Sequence, residues 1–458
     1  MLSNVTMARQ VPMGKTLAPA RAEQPNGPTP SSLQVKRRKH HSLMGQVRDP
    51  RRLRAAYEAV RKNHGAPGVD GVTVEAFGEN LEANLETLAA ELRARTYRPQ
   101  SVRRVWIDKP AGGQRPLGIP TVRDRVVQQA VLQVLEPIFE AEFSPHSHGF
   151  RPGRSTVTAL RELYVQVRDG HVHIVDVDVE KCFDEIPHEP LIDAVAERVA
   201  DGSVLRLIRR FLEALVQDGW RLVRPTAGTP QGGVLSPLLA NIYLAKLDRA
   251  LDAAGVGYVR YADDVRLVSR TAAGARKALT RTAEVLNQLG LRLSERKTKL
   301  VTLVEGVDFL GYRLVRRNGH LNVWISPKAL ERFREEVRRL TRRTVGRSLH
   351  EVVRRLDRYV RGWGEYFKRA QLSGVFYKHD RWILRRLRAY KAKRWRNGLW
   401  RRYSDKYFWF QLGLARLYGL RRQFIRELAA RHVAGTRPVE RSAGNPHATF
   451  VRGTEAHC

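Results

Sequence analysis

The stretch Tyr258-Val259-Arg260-Tyr261-Ala262-Asp263-Asp264-Val265-Arg266-Leu267-Val268 is the most informative part of this chain. Its apolar and β-branched flanks predict two short strands, with Tyr261 to Asp264 as the turn between them. Two adjacent carboxylates at the tip of a hairpin repel each other. A hard divalent cation that binds oxygen and keeps open positions for phosphate would relieve this repulsion. An ordinary acidic turn is the alternative that the stretch alone leaves open.

A second source of carboxylates lies in residues 172–184, VHIVDVDVEKCFD, where Asp176 and Asp178 alternate with valines. The two-residue period of a strand puts both carboxylates on one face and the valines on the other. We expect the valine face to be buried and the acidic face to line a cleft. A half-exposed strand with solvated aspartates is the alternative, but Asp is a poor strand former, so two in one strand favour a function. Phe183 and Asp184 follow where the chain turns toward a helix.

The charge of the chain indicates an anionic partner. The 458 residues carry a formal net charge of +36, which favours nucleic acid over the competing possibility of an anionic membrane. No apolar run reaches the roughly 18 residues of a spanning helix, which predicts a soluble protein without a membrane partner. Two cysteines, Cys182 and Cys458, provide no disulfide framework and no zinc pattern, in keeping with a reducing, cytoplasmic location. The length allows two or three domains.

Three further segments hold candidate functional residues. Lys109 and Arg115 flank the turn of a predicted hairpin and could reach a triphosphate from two sides. The segment 228–244 is a Gly- and Pro-punctuated turn before an apolar helix, in which Gln231 could hydrogen bond to a base or sugar. His146 and His148 have no third ligand at zinc spacing, so we interpret their loop as structural.

Beyond residue 326 the sequence predicts amphipathic helices with three apolar stripes. Their opposite faces carry Arg334, Arg338, Arg354, Arg358, Arg385 and Arg388. Solvated faces normally mix charge signs, so we interpret these arginines as a nucleic-acid surface rather than as ordinary solvated faces. Trp395 lies among further arginines, a combination suited to base stacking and phosphate contact.

From about Leu53 to Gly419 the chain resembles the reverse transcriptases encoded by bacterial group II introns. The ordered motifs that carry the resemblance are NHGAPGVDG (63–71), KPAGGQRPLGIP (109–120), HGFRPGRS (148–155), VDVDVEKCFD (175–184), GTPQGGVLSPLLANIYL (228–244), RYADD (260–264), FLGY (309–312) and GWGEYF (362–367). The resemblance implies an α+β right-hand polymerase with an antiparallel palm sheet. Its expected parts are a mobile basic leader (1–45), fingers and palm (46–325), a helical thumb or maturase domain (326–400), and a small basic DNA-binding region with a disordered tail (401–458).

The resemblance also implies roles for single residues. Asp178, Asp263 and Asp264 resemble the ligands of two Mg²⁺ ions, which would activate a primer 3′-hydroxyl and stabilise the leaving pyrophosphate. Phe183 resembles the residue that excludes a ribose 2′-hydroxyl. The remaining expected contacts are Lys109, Arg115 and Arg125 to the triphosphate, Gln231 in the nucleotide pocket, and Phe309-Leu310-Gly311 as the primer grip.

The partners implied are a group II intron RNA in a ribonucleoprotein, target DNA, an RNA template with a DNA primer, and deoxynucleoside triphosphates. Two departures from the family pattern are noted. Arg266 stands where the strand after the Asp-Asp turn is usually apolar, so we expect the edge there to be more exposed or slightly altered. Ser294 and Lys297-Thr298 vary the usual Asn-any-any-Lys-Ser. No cysteine-rich endonuclease module is recognised after the thumb, as in the endonuclease-lacking branch.

Three other functions remain alternatives. The first is a bacterial reverse transcriptase without an intron, against which the maturase-like helices from Leu330 argue. The second is an RNA-binding splicing factor with an inactive polymerase site, against which the intact Asp178, Asp263 and Asp264 argue. The third is a viral RNA-dependent RNA polymerase, whose ribonucleotides Phe183 would obstruct.

Overall fold

The computed structural model describes residues 38–108, 113–344, 346–371, 373–392, 401 and 403–433. Its strands are β1 Val102–Asp108, β2 Gln114–Ile119, β3 His173–Asp178, β4 Val216–Asp218, β5 Arg221–Val223, β6 Gly257–Tyr261, β7 Asp264–Ser269, β8 Lys299–Thr302, β9 Val307–Phe309, β10 Tyr312–Arg317 and β11 His320–Ile325. The helices that precede β4 in the sequence are α1 Leu43–Val47, α2 Pro50–Lys62, α3 Val74–Glu79, α4 Leu81–Ala94, α5 Val122–Glu140, α6 Thr156–Arg168, α7 Cys182–Glu185, α8 His188–Ala196 and α9 Gly202–Leu212. The later helices are α10 Ser236–Ala253, α11 Ala272–Gln288, α12 Pro327–Leu340, α13 Leu349–Phe367, α14 Ser373–Ala392 and α15 Leu417–Val433, with a π-helical turn over Tyr407–Gln411.

The first helices pack around α5 and differ in two places from the sequence-based expectation. Helix α1 begins inside the segment expected to be a mobile leader, because Leu43 and Val47 are buried in the core. The composition of residues 74–95 predicts one long helix, but the structure has two helices that meet at Asn80, the residue that ends α3. The expected leader up to residue 37 lies outside the described residues.

The first sheet has the strand order β2-β1-β4-β5, and β1 and β2 form the predicted hairpin. Strand β1 pairs with β4 in parallel and with β2 antiparallel. Apolar residues recur at helical spacing from Leu205 to Val216 and predict one helix, but α9 ends at Leu212 and Val216 begins β4. This sheet therefore places the arms of the 102–119 hairpin next to a second, shorter hairpin.

The central sheet has the order β6-β7-β3-β8 and is antiparallel throughout. Val175 and Val177 of β3 are buried in the core that α10 and α11 share, which confirms the predicted valine face. On the other face of the sheet, Ile174 and Val259 are buried in a second core together with residues of α6. Apolar residues therefore pack on both faces of the sheet, while Asp178 and Asp264 lie opposite each other at its end.

The third sheet, β11-β10-β9, and helices α12 to α15 continue this second core. The three predicted apolar stripes contain the buried residues Phe333, Val337, Val353, Leu356, Val360, Trp363, Phe367, Ile383, Leu387 and Tyr390. Helix α15 packs against α13 and α14, and Leu414 and Leu417 are buried with them. The helical packing therefore extends past residue 400, into the segment expected to be a separate DNA-binding region. In the described part of the chain, none of the helices combines the length and apolar character needed to cross a bilayer.

Candidate active site

The predicted hairpin is present, with strands β6 and β7 joined by Ala262 and Asp263. Tyr261 pairs with Asp264 to close the turn, and Ala262 has a left-handed backbone with φ of 58°. Asp178 on β3 is the cross-strand partner of Asp264 on β7. Asp178, Asp263 and Asp264 therefore lie at the same end of the central sheet.

A buried arginine beneath the turn holds it in place. Arg260 is fully buried, and its Nε donates to Asp248 Oδ1 of α10 over 2.8 Å. Its Nη1 donates to Asn241 Oδ1 at 3.0 Å and to the carbonyl of Ala262 at 2.9 Å. A buried charge is tolerated only when it is paired and hydrogen bonded, so this set constrains the turn from below. We did not single out Arg260 or Asp248 from the sequence, although a charged residue within an apolar strand was a usable signal.

The HGFRPGRS loop, expected to be structural, supports the same turn. The backbone of His148 donates to the carbonyl of Arg260 at 2.8 Å, so the loop pairs with β6. A side chain at Gly149 would clash with the backbone of Ala262, so glycine is required for this approach. The rings of His146 and His148 both pair with Glu162. Burial raises the pKa of Glu162, but these two hydrogen bonds outweigh it and lower the pKa to about 2.

The three carboxylates differ in their surroundings. Asp178 Oδ2 lies 3.1 Å from Lys297 Nζ. Asp264 pairs with Arg266, while the pKa of Asp263 is raised by burial and further by the charges of Asp264 and Asp178. The segment Ser294 to Thr298 also contacts the backbone of Asp178, since Ser294 N donates to the Asp178 carbonyl at 2.8 Å.

The chemistry of this donor set suits a hard divalent cation, because three neighbouring carboxylates offer only oxygen and repel one another. Among the described residues, however, no three acidic, histidine or cysteine side chains converge on a common metal position. Two of the three carboxylates instead have a cationic side chain as their counter-ion. Lys297 pairs with Asp178, and Arg266 pairs with Asp264.

The expectation that Arg266 makes an exposed edge is wrong. Its side chain is only 6% exposed, and its Nη1 lies 2.8 Å from Asp176 Oδ1. Its guanidinium lies over the ring of Phe309, 5.0 Å from the centroid. The reason is that β9 covers this part of the sheet and Asp176, its cross-strand partner, supplies a counter-charge.

Phe183 and Gln231 are both neighbours of Asp184, Phe183 beside it on α7 and Gln231 by side-chain contact from the 228–233 turn. Phe183 contacts Phe150 edge to face, with ring centroids 6.4 Å apart, and its carbonyl accepts from Thr229 N at 2.7 Å. The Gln231 amide donates to both Asp184 oxygens, at 3.0 and 3.1 Å. These hydrogen bonds attach the 228–233 turn to α7. The amide nitrogen of Gln231 therefore already donates to a carboxylate in this structure.

The three expected triphosphate contacts have different placements. Arg115 is exposed on β2, opposite Ile107, and Lys109 lies outside the described residues. Arg125 differs from the expectation, since it is buried and its Nη2 donates to the carbonyl of Ala66 at 2.8 Å. Burial lowers its pKa. The loop 63–71 covers Arg125, so in this structure it supports the loop and is not open to a phosphate.

The segment Phe309-Leu310-Gly311 forms the turn between β9 and β10, attached to α13. Leu310 has a φ of 49° and its carbonyl accepts from the Tyr366 hydroxyl at 2.8 Å. Gly311 has a φ of 79° and packs against the Phe367 ring, where a larger residue would be strained. The GWGEYF helix therefore positions this turn.

The cationic residues of the helical region fall into three groups. Arg354, Arg358 and Arg385 are exposed, while Arg334 and Arg338 both pair with Glu331 of the same helix. Arg388 was expected on the exposed back of α14, but it is buried and pairs with Asp405. It faces inward because the 403–408 segment crosses α14 there, and Arg388 Nε donates to the carbonyl of Tyr403 at 2.8 Å. Trp395 lies outside the described residues.

Comparison with known families agrees with this architecture. Residues 107–314 match the reverse transcriptase (RNA-dependent DNA polymerase) family, and residues 330–408 match the group II intron maturase-specific domain. The first match covers β2 to β9, and with them the whole central sheet and all three carboxylates. The second begins within α12 and covers α13 and α14. The two matches define a reverse transcriptase domain followed by a helical maturase domain.

Several curated proteins resemble the chain. It is 34% identical over 330 residues to Protein YkfC of Escherichia coli K12, an alignment that covers 63% of this chain and 85% of that protein. It is 41% identical over 197 residues to the Group II intron-encoded protein LtrA of Lactococcus lactis, covering 42% of this chain and 32% of LtrA. It is 27% identical over 331 residues to the Putative COX1/OXI3 intron 1 protein of Saccharomyces cerevisiae, covering 60% and 39%. The chain belongs to the group II intron reverse transcriptase and maturase family, and its maturase domain implies binding of intron RNA.

Proposed function

We propose that this protein is an active RNA-directed DNA polymerase with a right-hand arrangement, which assists splicing of its own group II intron and copies that intron into DNA at a target site. The first and central sheets serve as fingers and palm, and the helices from α12 onward as the thumb. The observation that carries the proposal is the register of β3 and β7, which aligns Asp178 with Asp264 beside Asp263. The buried Arg260 supports the proposal further, because its hydrogen bonds to Asp248 and to the Ala262 carbonyl fix the shape of the turn that carries Asp263 and Asp264.

In this proposal, Asp178, Asp263 and Asp264 would hold two Mg²⁺ ions, and the bound metal would supply Lewis-acid chemistry at a primer 3′-hydroxyl and a triphosphate. Phe183 closes the side of the cleft where a ribose 2′-hydroxyl would lie. Gln231, fixed by Asp184, shapes the base and sugar pocket, and Arg115 with Lys109 attracts the triphosphate. The 309–311 turn positions the primer end, while the exposed arginines of α13 and α14 bind the backbone of intron RNA or of the template and primer duplex.

Primer extension on an RNA template with deoxynucleotides and Mg²⁺ tests this proposal. The Asp263→Asn variant removes one charge from the carboxylate group and keeps its shape. We expect DNA synthesis by the wild type and a loss of about 10³-fold or more in the variant, as for a residue that acts only in the transition state. Asp169→Asn, on the exposed turn after α6, is the matched control and keeps full activity.

A folded, RNA-binding wild type that makes no DNA would contradict the polymerase and favour the splicing factor. Splicing of the intron that flanks the gene, with and without the protein, tests the maturase part separately. Splicing that is independent of the protein would contradict that part alone.

A further inference from the structure

Arg266 occupies an unusual position for a charged residue. It lies on β7 two residues after Asp264, and its cross-strand neighbours are Asp176 on β3 and Val259 on β6. Its side chain is 6% exposed, so the guanidinium has given up nearly all of its hydration. Such a group persists in a fold only where partners on several sides compensate for that loss.

The partners of Arg266 come from both sides of the candidate site. Its Nη1 pairs with Asp264 and lies 2.8 Å from Asp176 Oδ1. Its Nη2 donates to the carbonyl of Asp308 at 3.0 Å, and the guanidinium lies over Phe309. One side chain therefore joins the second carboxylate of the hairpin to the strand that enters the 309–311 turn.

We propose that Arg266 is a positioning residue that fixes Asp264 relative to the primer-end turn and whose charge weakens the binding of divalent cations by the carboxylates. This inference rests on the polymerase function proposed above. A planar guanidinium can donate to three acceptors while its face lies on an aromatic ring. An apolar residue would preserve the contact with Phe309 but would leave Asp264, Asp176 and the carbonyl of Asp308 without this donor.

Charge and geometry have opposite effects here, and this makes the role measurable. Loss of the positive charge leaves Asp176 and Asp264 as neighbouring carboxylates without that counter-ion, which strengthens their attraction for a divalent cation. Loss of the planar fork leaves the Asp264 carboxylate free to rotate, which lowers the fraction of molecules with correctly placed reacting groups. The same substitution should therefore tighten metal binding and slow catalysis.

Three variants separate these effects. Arg266→Met removes the charge and the fork, whereas Arg266→Lys keeps the charge alone. Arg198→Met removes a largely buried arginine that pairs with Glu142 after α5, and it is the matched control for the loss of a buried ion pair. Mn²⁺ serves as a probe for oxygen-coordinated divalent ions, and its binding is measured by electron paramagnetic resonance. Single-nucleotide extension gives kcat and KM, and thermal melting reports folding.

We expect Arg266→Met to bind Mn²⁺ about 3- to 10-fold more tightly and to lose about 10- to 100-fold in kcat, with KM for the nucleotide within about twofold of wild type. Arg266→Lys should bind Mn²⁺ like the wild type and recover kcat in part. Arg198→Met should melt at a lower temperature with Mn²⁺ affinity and kcat unchanged.

Folded Arg266→Met with unchanged Mn²⁺ affinity and unchanged kcat would overturn the inference, and so would a fall in melting temperature alone. If the wild type makes no DNA, the polymerase proposal fails by itself. The Mn²⁺ measurements then still test the inference. Tighter Mn²⁺ binding by Arg266→Met but not by Arg266→Lys supports the charge effect. Equal Mn²⁺ affinity of the wild type, Arg266→Met and Arg266→Lys overturns it.

Discussion

The hydroxyl of Tyr366 on α13 donates to the carbonyl of Leu310, at 2.8 Å, in the turn between β9 and β10. Leu310 has the left-handed φ of 49°, a conformation that costs free energy in a non-glycine residue. The hydrogen bond offsets part of this cost. The maturase domain therefore contributes directly to the shape of a turn in the polymerase domain.

Tyr366→Phe should loosen this turn without unfolding α13, because the ring contacts with Tyr312 and Phe367 remain. The lost hydrogen bond corresponds to about 1 kcal/mol, or a several-fold faster dissociation of the primer. We expect shorter products per binding event and an unchanged rate of the first addition, measured by extension with a trap for released enzyme. Tyr359→Phe on the same helix, whose ring stacks on Phe333, is the control. Equal product lengths for Tyr366→Phe and wild type would contradict this role.

Phe183→Ala should admit ribonucleotides. The ring is held edge to face by Phe150, so its removal opens space rather than allowing a neighbour to collapse at once. We expect the ratio of kcat/KM for deoxy- over ribonucleotides to fall by at least about tenfold. Phe183→Tyr keeps the ring and should keep the discrimination. A ratio that does not change in Phe183→Ala would contradict the role of Phe183 in excluding the ribose 2′-hydroxyl.

The exposed arginines of α13 and α14 should set the salt dependence of RNA binding. Each neutralised phosphate contributes a log-log slope of roughly −0.7 to −0.9. Replacing Arg354, Arg358 and Arg385 together by Gln should make the slope shallower by about 2 to 3, as measured by filter binding at several salt concentrations. Arg388→Gln should instead lower the melting temperature and leave the slope unchanged, because this residue is buried against Asp405. A steep slope that survives the triple substitution would remove these arginines from the interface.

Asp380 should make stability depend on pH. Burial raises its pKa to about 6, although the backbone N–H groups of Leu417 and Tyr418 donate to it. The folded state therefore binds the proton more tightly than the unfolded chain, so this contribution to stability is present below about pH 4 and is lost as the pH rises through about 6. Relative to Asp380→Asn, the wild type should lose on the order of 1–3 kcal/mol between pH 4 and 7. Denaturant unfolding of both proteins across this range measures the difference, and a constant difference would contradict the prediction.

Much of the fold was predictable because its signals are local. The alternation of Asp176 and Asp178 with valines predicted β3, and the apolar flanks of the Tyr261–Asp264 turn predicted β6 and β7. The helical period predicted the stripes of α12 to α14. For the candidate site, the order of the motifs indicated the three carboxylates and the 309–311 turn. These motifs are recognised from short stretches of sequence, so their tertiary neighbours need not be known.

Burial of charged residues could not be predicted in the same way. Arg266, Arg125 and Arg388 were all expected to be exposed or to contact a ligand, and all three are buried. Each is covered by a segment distant in sequence: β9 over Arg266, the 63–71 loop over Arg125, and the 403–408 segment over Arg388. A period of 2 or 3.6 residues tells which side chains share a face, but not which segment covers that face.

The sequence by itself thus determined the family, the β6–β7 hairpin and the carboxylates at its tip, because adjacency and alternation are properties of a short stretch of chain. Only the tertiary structure decided which cations remain open to a nucleic acid and which are internal counter-ions. The physical reason is that the free energy of a buried charge depends on partners brought together from distant parts of the chain.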